Sequence, residues 1–276
     1  MLVPAVIFAL QQAAAPVNVP RIEAAVEIDG VLDEAVWQQA AVIEDFWQYE
    51  PADGRPAAER TVVRVWYGPD AIYFGIHAYD SEPQSIRAKR ANRDNLGDDD
   101  RVTIYLDTFR DRRRAFFFTS NAYGSQEDGV RTEGGGSAGR TFGGNSDKSP
   151  DFLFQSQGRL TDDGYVVELR IPFKSLSDPA AEEMSWGIKI ERHSQRTGFT
   201  DTWPQARRAS ASFLAQAGTL AGLHDLQRGI VFEAQPTLTA NAPGVRADGV
   251  WSRDSPDLSA GATVRLGFTN ASLDAT

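Results

Sequence analysis

Cysteine is absent from the 276-residue chain, and histidine occurs only as His77, His193 and His224. The first absence excludes disulfide frameworks, thiol nucleophiles and thiolate zinc sites, and the second leaves too few imidazoles for a histidine-rich metal centre. Positive charge is in deficit too. Lys and Arg number 28 against 38 Asp and Glu, and the resulting net charge of -10 argues against nucleic acid as a partner. No stretch approaches the roughly 18 uninterrupted apolar residues of a spanning helix. What is present is ordinary globular material, 41% hydrophobic and 24% charged, in a chain long enough for one large domain or two smaller ones.

The chain opens on a short apolar run, Leu2–Leu10, followed by Gln11-Gln12 and then by Ala13 and Ala15 in a small-x-small arrangement. That is the pattern of a signal peptide cleaved after Ala15, although no Lys or Arg precedes the run. Residues 1–15 are therefore expected to be a signal peptide and the mature chain to begin at Pro16.

Strand patterns dominate the chain from there to about residue 228. Residues 19–28 alternate weakly into the turn Asp29-Gly30, and Asp33 is placed to cap a short helix carrying Val36, Trp37, Ala40 and Ala41 on one side. Thr61–Tyr67 and Ala71–Tyr79 flank Gly68-Pro69-Asp70 as a hairpin. Arg101–Asp107 places Val102, Ile104 and Leu106 on one face, and Arg101, Thr103, Tyr105 and Asp107 on the other. Arg114–Asn121 is a further strand, and Phe152–Leu160 and Tyr165–Ile171 meet at Asp162-Asp163-Gly164. Pro172 should end the latter, because it has no amide for the ladder. Trp186–Arg192 repeats the alternation. Many half-buried strands, short turns and one short N-terminal helix predict an all-β fold, an antiparallel β-sandwich over residues 16–228.

Residues 229–276 differ. Val231–Ala240 and Ala262–Leu273 are alternating segments of about the length of a tilted membrane strand, and they read as the start of a truncated β-barrel. Gly134–Ser149 reads as a mobile Gly/Ser-rich loop. Its Gly134–Gly139 stretch satisfies G-x-G-x-x-G, and Gly135–Gly139 satisfies G-x-S-x-G. Neither has the preceding strand and following helix that a phosphate cradle or nucleophile elbow needs.

Several segments in order resemble the family 9 carbohydrate-binding module. They are Ile28-Asp29-Gly30-Val31-Leu32-Asp33-Glu34 with Trp37, the strand pair ending at Asp80, Asp100-Arg101-Val102 with Leu106-Asp107, Gly164–Glu168 with Ile171-Pro172-Phe173, and Trp186-Gly187. More closely, the chain resembles an uncharacterised subgroup of envelope proteins in which such a module precedes an outer-membrane β-barrel. The resemblance implies a non-catalytic sandwich that binds the end of an oligo- or polysaccharide, in the periplasm or outer membrane of a Gram-negative-type bacterium. In the family two tryptophans sandwich the sugar ring, whose C–H face suits an aromatic plane. Trp203 falls where one platform belongs, and no aromatic occupies the place of the other, at Asn95–Asp99. Thr103, Thr119 and Asn121 fall at the positions of polar sugar contacts.

Other residues carry alternatives. Asp98, Asp99 and Asp100 could offer oxygen ligands to calcium, which some family members carry, or form a solvated acidic turn. Arg110–Arg114 could meet lipid phosphates or an acidic sugar, or be a solvated hairpin tip. Trp37, Trp66 and Trp186 are expected in the core, and Trp203 is either a platform or a loop indole folded on the sandwich edge. Arg101, Tyr105, Glu168, Arg170, Lys189 and Glu191 are expected to point outward. Two other functions compete with sugar binding. One is a periplasmic or plug-like interaction domain with a decayed sugar site, and the other is a glycoside hydrolase, which would need two carboxylates about 5 to 10 Å apart.

Overall fold

Period-two alternation sorts the strands into two layers with an apolar interior between them. The computed structural model describes residues 14–134, 145–177 and 183–227, and in the C-terminal segment the strand residues 231–241, 244–247, 250–253, 257–268 and 271–275. The N-terminal unit contains β1 (Val17–Asn18), β2 (Ala41–Ile43), β3 (Trp47–Glu50), β4 (Arg55–Pro56), β5 (Thr61–Tyr67), β6 (Ala71–Tyr79), β7 (Arg101–Asp107) and β8 (Arg114–Asn121). It continues with β9 (Gln126–Thr132), β10 (Asn145–Asp147), β11 (Gln155–Thr161), β12 (Gly164–Pro172), β13 (Glu183–Ser194), β14 (Phe199–Trp203) and β15 (Gly218–His224).

The smaller sheet runs β11-β12-β6-β5-β2, and the larger runs β10-β9-β8-β7-β13-β14-β3-β4, with β15 joined to β13 and to β1. Of these pairs β1–β15 is parallel. The inner face of the larger sheet (Val102, Ile104, Leu106, Ile188, Ile190) packs on Val63, Val65, Phe74, Ile76, Val167 and Leu169 of the smaller. Each of these side chains is fully buried, and each contributes about 1.5–3 kcal/mol by leaving water. Trp37, Trp66 and Trp186 are buried as expected.

The outward faces are not simply water-facing. The N-terminal segment lays Val36 and Trp37, with Ile22, Ile28 and Leu32, over Trp66 and Tyr73 of the smaller sheet. Gly75 leaves the room for this: a Cβ there would stand 2.6 Å from Leu32 Cδ2 and 2.9 Å from Trp37 Cζ3. Beneath the same segment Glu168 Oε2 accepts the amides of Asp29 (2.9 Å) and Gly30 (2.7 Å). Glu168 is thus a buried anchor rather than an exposed carboxylate, and burial pushes its carboxyl up to about 7 although those amides pull it down.

Other expectations are corrected locally. The short helix is a single 3-10 turn, Ala35–Gln38, preceded by Glu34 with no side-chain cap, so Asp33 does not cap it. Instead Glu34 Oε2 accepts Trp37 Nε1–H at 3.1 Å. The weak alternation over residues 19–28 yields only β1 before it and a bridge from Arg21 to Tyr67. Part of the expected Gly/Ser-rich loop is strand β10, paired with the end of β9. The rest of that loop, 135–144, and residues 1–13 of the expected signal peptide lie outside the described residues. The Arg110–Arg114 cluster is an exposed hairpin tip between β7 and β8.

The chain divides into two compact units, the first ending at Gln227. In the second unit Val231–Asn241 pairs antiparallel along its whole length with Asp257–Phe268. The latter pairs with Ala271–Ala275, so the strand expected over 262–273 instead ends at Phe268 and turns back. Among the described residues no helix is long and apolar enough to cross a membrane, which leaves strands untouched.

Candidate functional site

The outer face of the larger sheet gathers its polar and aromatic side chains in rows across the strands, because Cα partners in neighbouring strands point the same way. One row reads Trp47, Thr202, Glu191, Thr103, Thr119, Glu127. At about 4.8 Å between strands, Trp47 and Glu191 lie about 10 Å apart and the whole row spans about 24 Å. The next row holds Lys189, Tyr105 and Phe117, and the row on the other side holds Thr200, His193, Arg101 and Asn121.

The chain's own loop covers half of this face. Phe213 and Leu214 form an apolar cluster with Tyr105, Ala115 and Phe117, and Tyr49 packs against it. The Phe213 ring lies 5.4 Å from Tyr105 and 5.7 Å from Tyr49, with the Arg131 guanidinium 4.3 Å from its centroid. Leu214 N–H donates to Glu133 Oε1 at 3.0 Å and fixes the loop to the end of β9. The other half, around Trp47, Glu191, His193 and Arg101, keeps part of its surface open. Trp47 belongs to none of the three apolar clusters among the described residues.

Burial sets the electrostatics. Lys189 is fully buried, its Nζ donating to Pro204 O at 3.4 Å and sitting 4.6 Å from the Phe213 ring centre. Desolvation pulls its ammonium down to about 7. Desolvation also raises the Glu191 carboxyl, against the pull of Arg131 and Arg101. His193 is held below its ordinary value by burial and by Arg101, and stands 3.4 Å from Thr200 Oγ1. Tyr105, expected to face water, is buried under the loop and its hydroxyl is pushed up by desolvation. Carboxylate, guanidinium and imidazole beside an aromatic plane can hydrogen-bond a polyhydroxylated ring while stacking on its C–H face.

The structure brings together only part of the residue set read from sequence. Thr103 and Thr119 meet on the face, hydroxyl to hydroxyl at 2.9 Å, and form its nearly buried floor. Trp203 pairs with Ile190, so it points to the opposite, inner face, where it is half-buried against the main core and its indole lies over Gly218. Asn121 is completely buried and internally satisfied. Its Nδ2 donates to Lys89 O (2.7 Å) and Asp99 Oδ2 (2.8 Å), and its Oδ1 accepts the amides of Tyr123 (3.0 Å) and Ser125 (2.9 Å). No hydrogen-bonding capacity is left for a ligand.

The three aspartates do not converge on a cation. Asp98 is exposed, Asp99 Oδ2 accepts the Lys89 amide, and Asp100 accepts the amides of Arg87 and Gln195 through its two oxygens. Among the described residues no three His, Cys, Asp or Glu side chains are grouped to hold a metal. The donor set read for calcium therefore does not fit the ion, since its carboxylates anchor loops instead. Sequence reasoning missed Trp47, although its signal was available: Trp47 and Tyr49 alternate with Gln48 and Glu50 in a short strand.

An open polar cleft of about 550 Å³ lies elsewhere, lined by Val26, Glu27, Gln126, Phe154 and Gln157 among others. Its one aromatic, Phe154, is buried and offers no plane to a ligand.

Residues 28–205 match the sequence profile of the family described as carbohydrate family 9 binding domain-like. The chain belongs to that family. Its modules are non-catalytic, so the domain is not an enzyme and the hydrolase alternative falls. No curated protein matches the sequence. A family 9 carbohydrate-binding module from Caldicellulosiruptor kristjanssonii, solved with glucose, is similar at TM-score 0.50 and 16% identity, covering 75% of this chain and 95% of that one. A putative carbohydrate-binding protein from Bacteroides uniformis is similar at TM-score 0.51 and 13% identity, covering 75% and 98%. These likenesses show the β-sandwich fold.

Proposed function

We propose that this family 9 domain binds a saccharide on the open half of the outer face of its larger sheet. Trp47 is the stacking platform, Glu191 and Arg101 are the polar partners, and Thr103 and Thr119 form the floor. The observation that carries this reading is the row that sets a partly exposed Trp47 and a partly exposed Glu191 two strands apart, about 10 Å between their backbone positions, on one face. The glucose bound by the Caldicellulosiruptor module supports a pyranose as the unit recognised. The run Leu2–Leu10 with Ala13 and Ala15 supports export, and the alternating C-terminal strands support attachment to an outer-membrane β-barrel, as in the envelope subgroup the sequence resembles.

Titration of the chain with glucose and cellotriose, followed by tryptophan fluorescence, tests the reading. Saturable binding is expected, weakened about tenfold or more by Trp47→Ala, which removes both the stacking and its buried area. The second reading, an interaction domain whose sugar site has decayed, is favoured by Phe213 occupying half of the face. A titration without saturable binding would contradict the first reading and favour the second.

A further inference from the structure

We infer that the β7–β8 hairpin tip is a docking point for an anionic lipid surface. The tip reads Phe109-Arg110-Asp111-Arg112-Arg113-Arg114 on a chain whose net charge is -10, so four cations are concentrated against the overall balance. All six residues are exposed. None of the four arginines pairs with a carboxylate among the described residues. Arg110 Nη1 donates to Ser185 Oγ at 2.7 Å, and Arg114 stands 5.0 Å from the centre of the Phe109 ring.

Two carboxylates, Asp111 and Asp107, lie at the tip and bond its own amides, which leaves four guanidinium groups against two acids and a net positive tip. Asp111 Oδ1 accepts the amides of Arg113 and Arg114, and the Asp107 carboxylate accepts those of Asp111 and Arg112. These bonds hold the loop in a defined shape, with Arg110 at φ 55° and Arg112 at φ 58°. Phe109, 38% exposed, adds an apolar group beside the cations. Thr108 donates to Ser177 O, and Ser175 donates to Leu153 O, which ties Leu153, 62% exposed, to the same end of the sandwich.

Arginines flanking exposed apolar side chains suit a headgroup layer, where the guanidinium groups meet phosphate and the apolar groups enter the acyl boundary. A convex tip fits a plane better than it fits a polymer strand, which needs a groove.

The test is sedimentation of the full chain with vesicles of phosphatidylcholine alone or with about one third phosphatidylglycerol. R112Q/R113Q serves as the comparison, with its thermal unfolding checked against the wild type. Binding to the anionic vesicles should exceed that to neutral ones, should fall as salt is raised, and should weaken about 25-fold in the variant, about fivefold per arginine. Equal binding by variant and wild type, or equal binding to both vesicle types, would overturn the inference. So would a tip that holds a soluble polyanion but not vesicles.

Discussion

Replacing Asn121 with alanine should destabilise the domain by about 3 kcal/mol or more, a far larger effect than loss of one ligand contact would produce. Its amide joins three separated segments: the Lys89 carbonyl, the Asp99 carboxylate and the turn amides of Tyr123 and Ser125. Truncation takes one of two donors from Asp99 Oδ2, which keeps the Lys89 amide, and leaves the Tyr123 and Ser125 amides without their side-chain acceptor, each loss costing about 1 kcal/mol or more. Urea unfolding of N121A measures it. A variant of wild-type stability that failed to bind sugar would instead restore Asn121 to a ligand role.

Lys189→Met should act in the opposite direction. The buried ammonium has one long hydrogen bond, to Pro204 O, and one aromatic face, that of Phe213. Burial lowers its pKa from 10.5 to about 7, so between those values the unfolded chain binds more protons than the folded one. Stability from this group therefore rises with pH across that window and is smallest below it. The shift corresponds to on the order of 4 kcal/mol at neutral pH, which methionine of similar length would recover. Chemical unfolding at pH 7 and pH 10 should show the wild type gaining stability while K189M, more stable at pH 7, gains less. A destabilised K189M would mean that the amine holds the Phe213 loop down.

The two-layer architecture is legible in the sequence because alternation is a local property. Val102, Ile104 and Leu106 declare their face in seven residues, and the register with Ile188 and Ile190 follows. The second layer over each sheet is not legible, because it depends on distant segments. Nothing near Glu168 announces that Asp29 and Gly30 will cover it, and nothing near Tyr105 announces Phe213. Outward parity alone therefore suggests exposure where the folded chain has none. Trp203 misleads for a related reason. Its polar neighbours Asp201 and Thr202 suggest a surface loop, whereas pairing with Ile190 turns the indole toward the core. Trp47 carries the correct parity but lies in a strand too short to stand out. The acidic run Asp98–Asp100 resembles a cation site because sequence does not reveal which main-chain amides a carboxylate will meet.

The most direct measurement of the central claim is amide and indole NMR of the isotope-labelled chain during addition of cellotriose. Ligand-dependent shifts should concentrate on Trp47, Thr103, Glu191 and Arg101 and leave the Trp203 indole in place. Shifts centred on Trp203 and the Asn95–Asp100 loop, with the outer face silent, would contradict it.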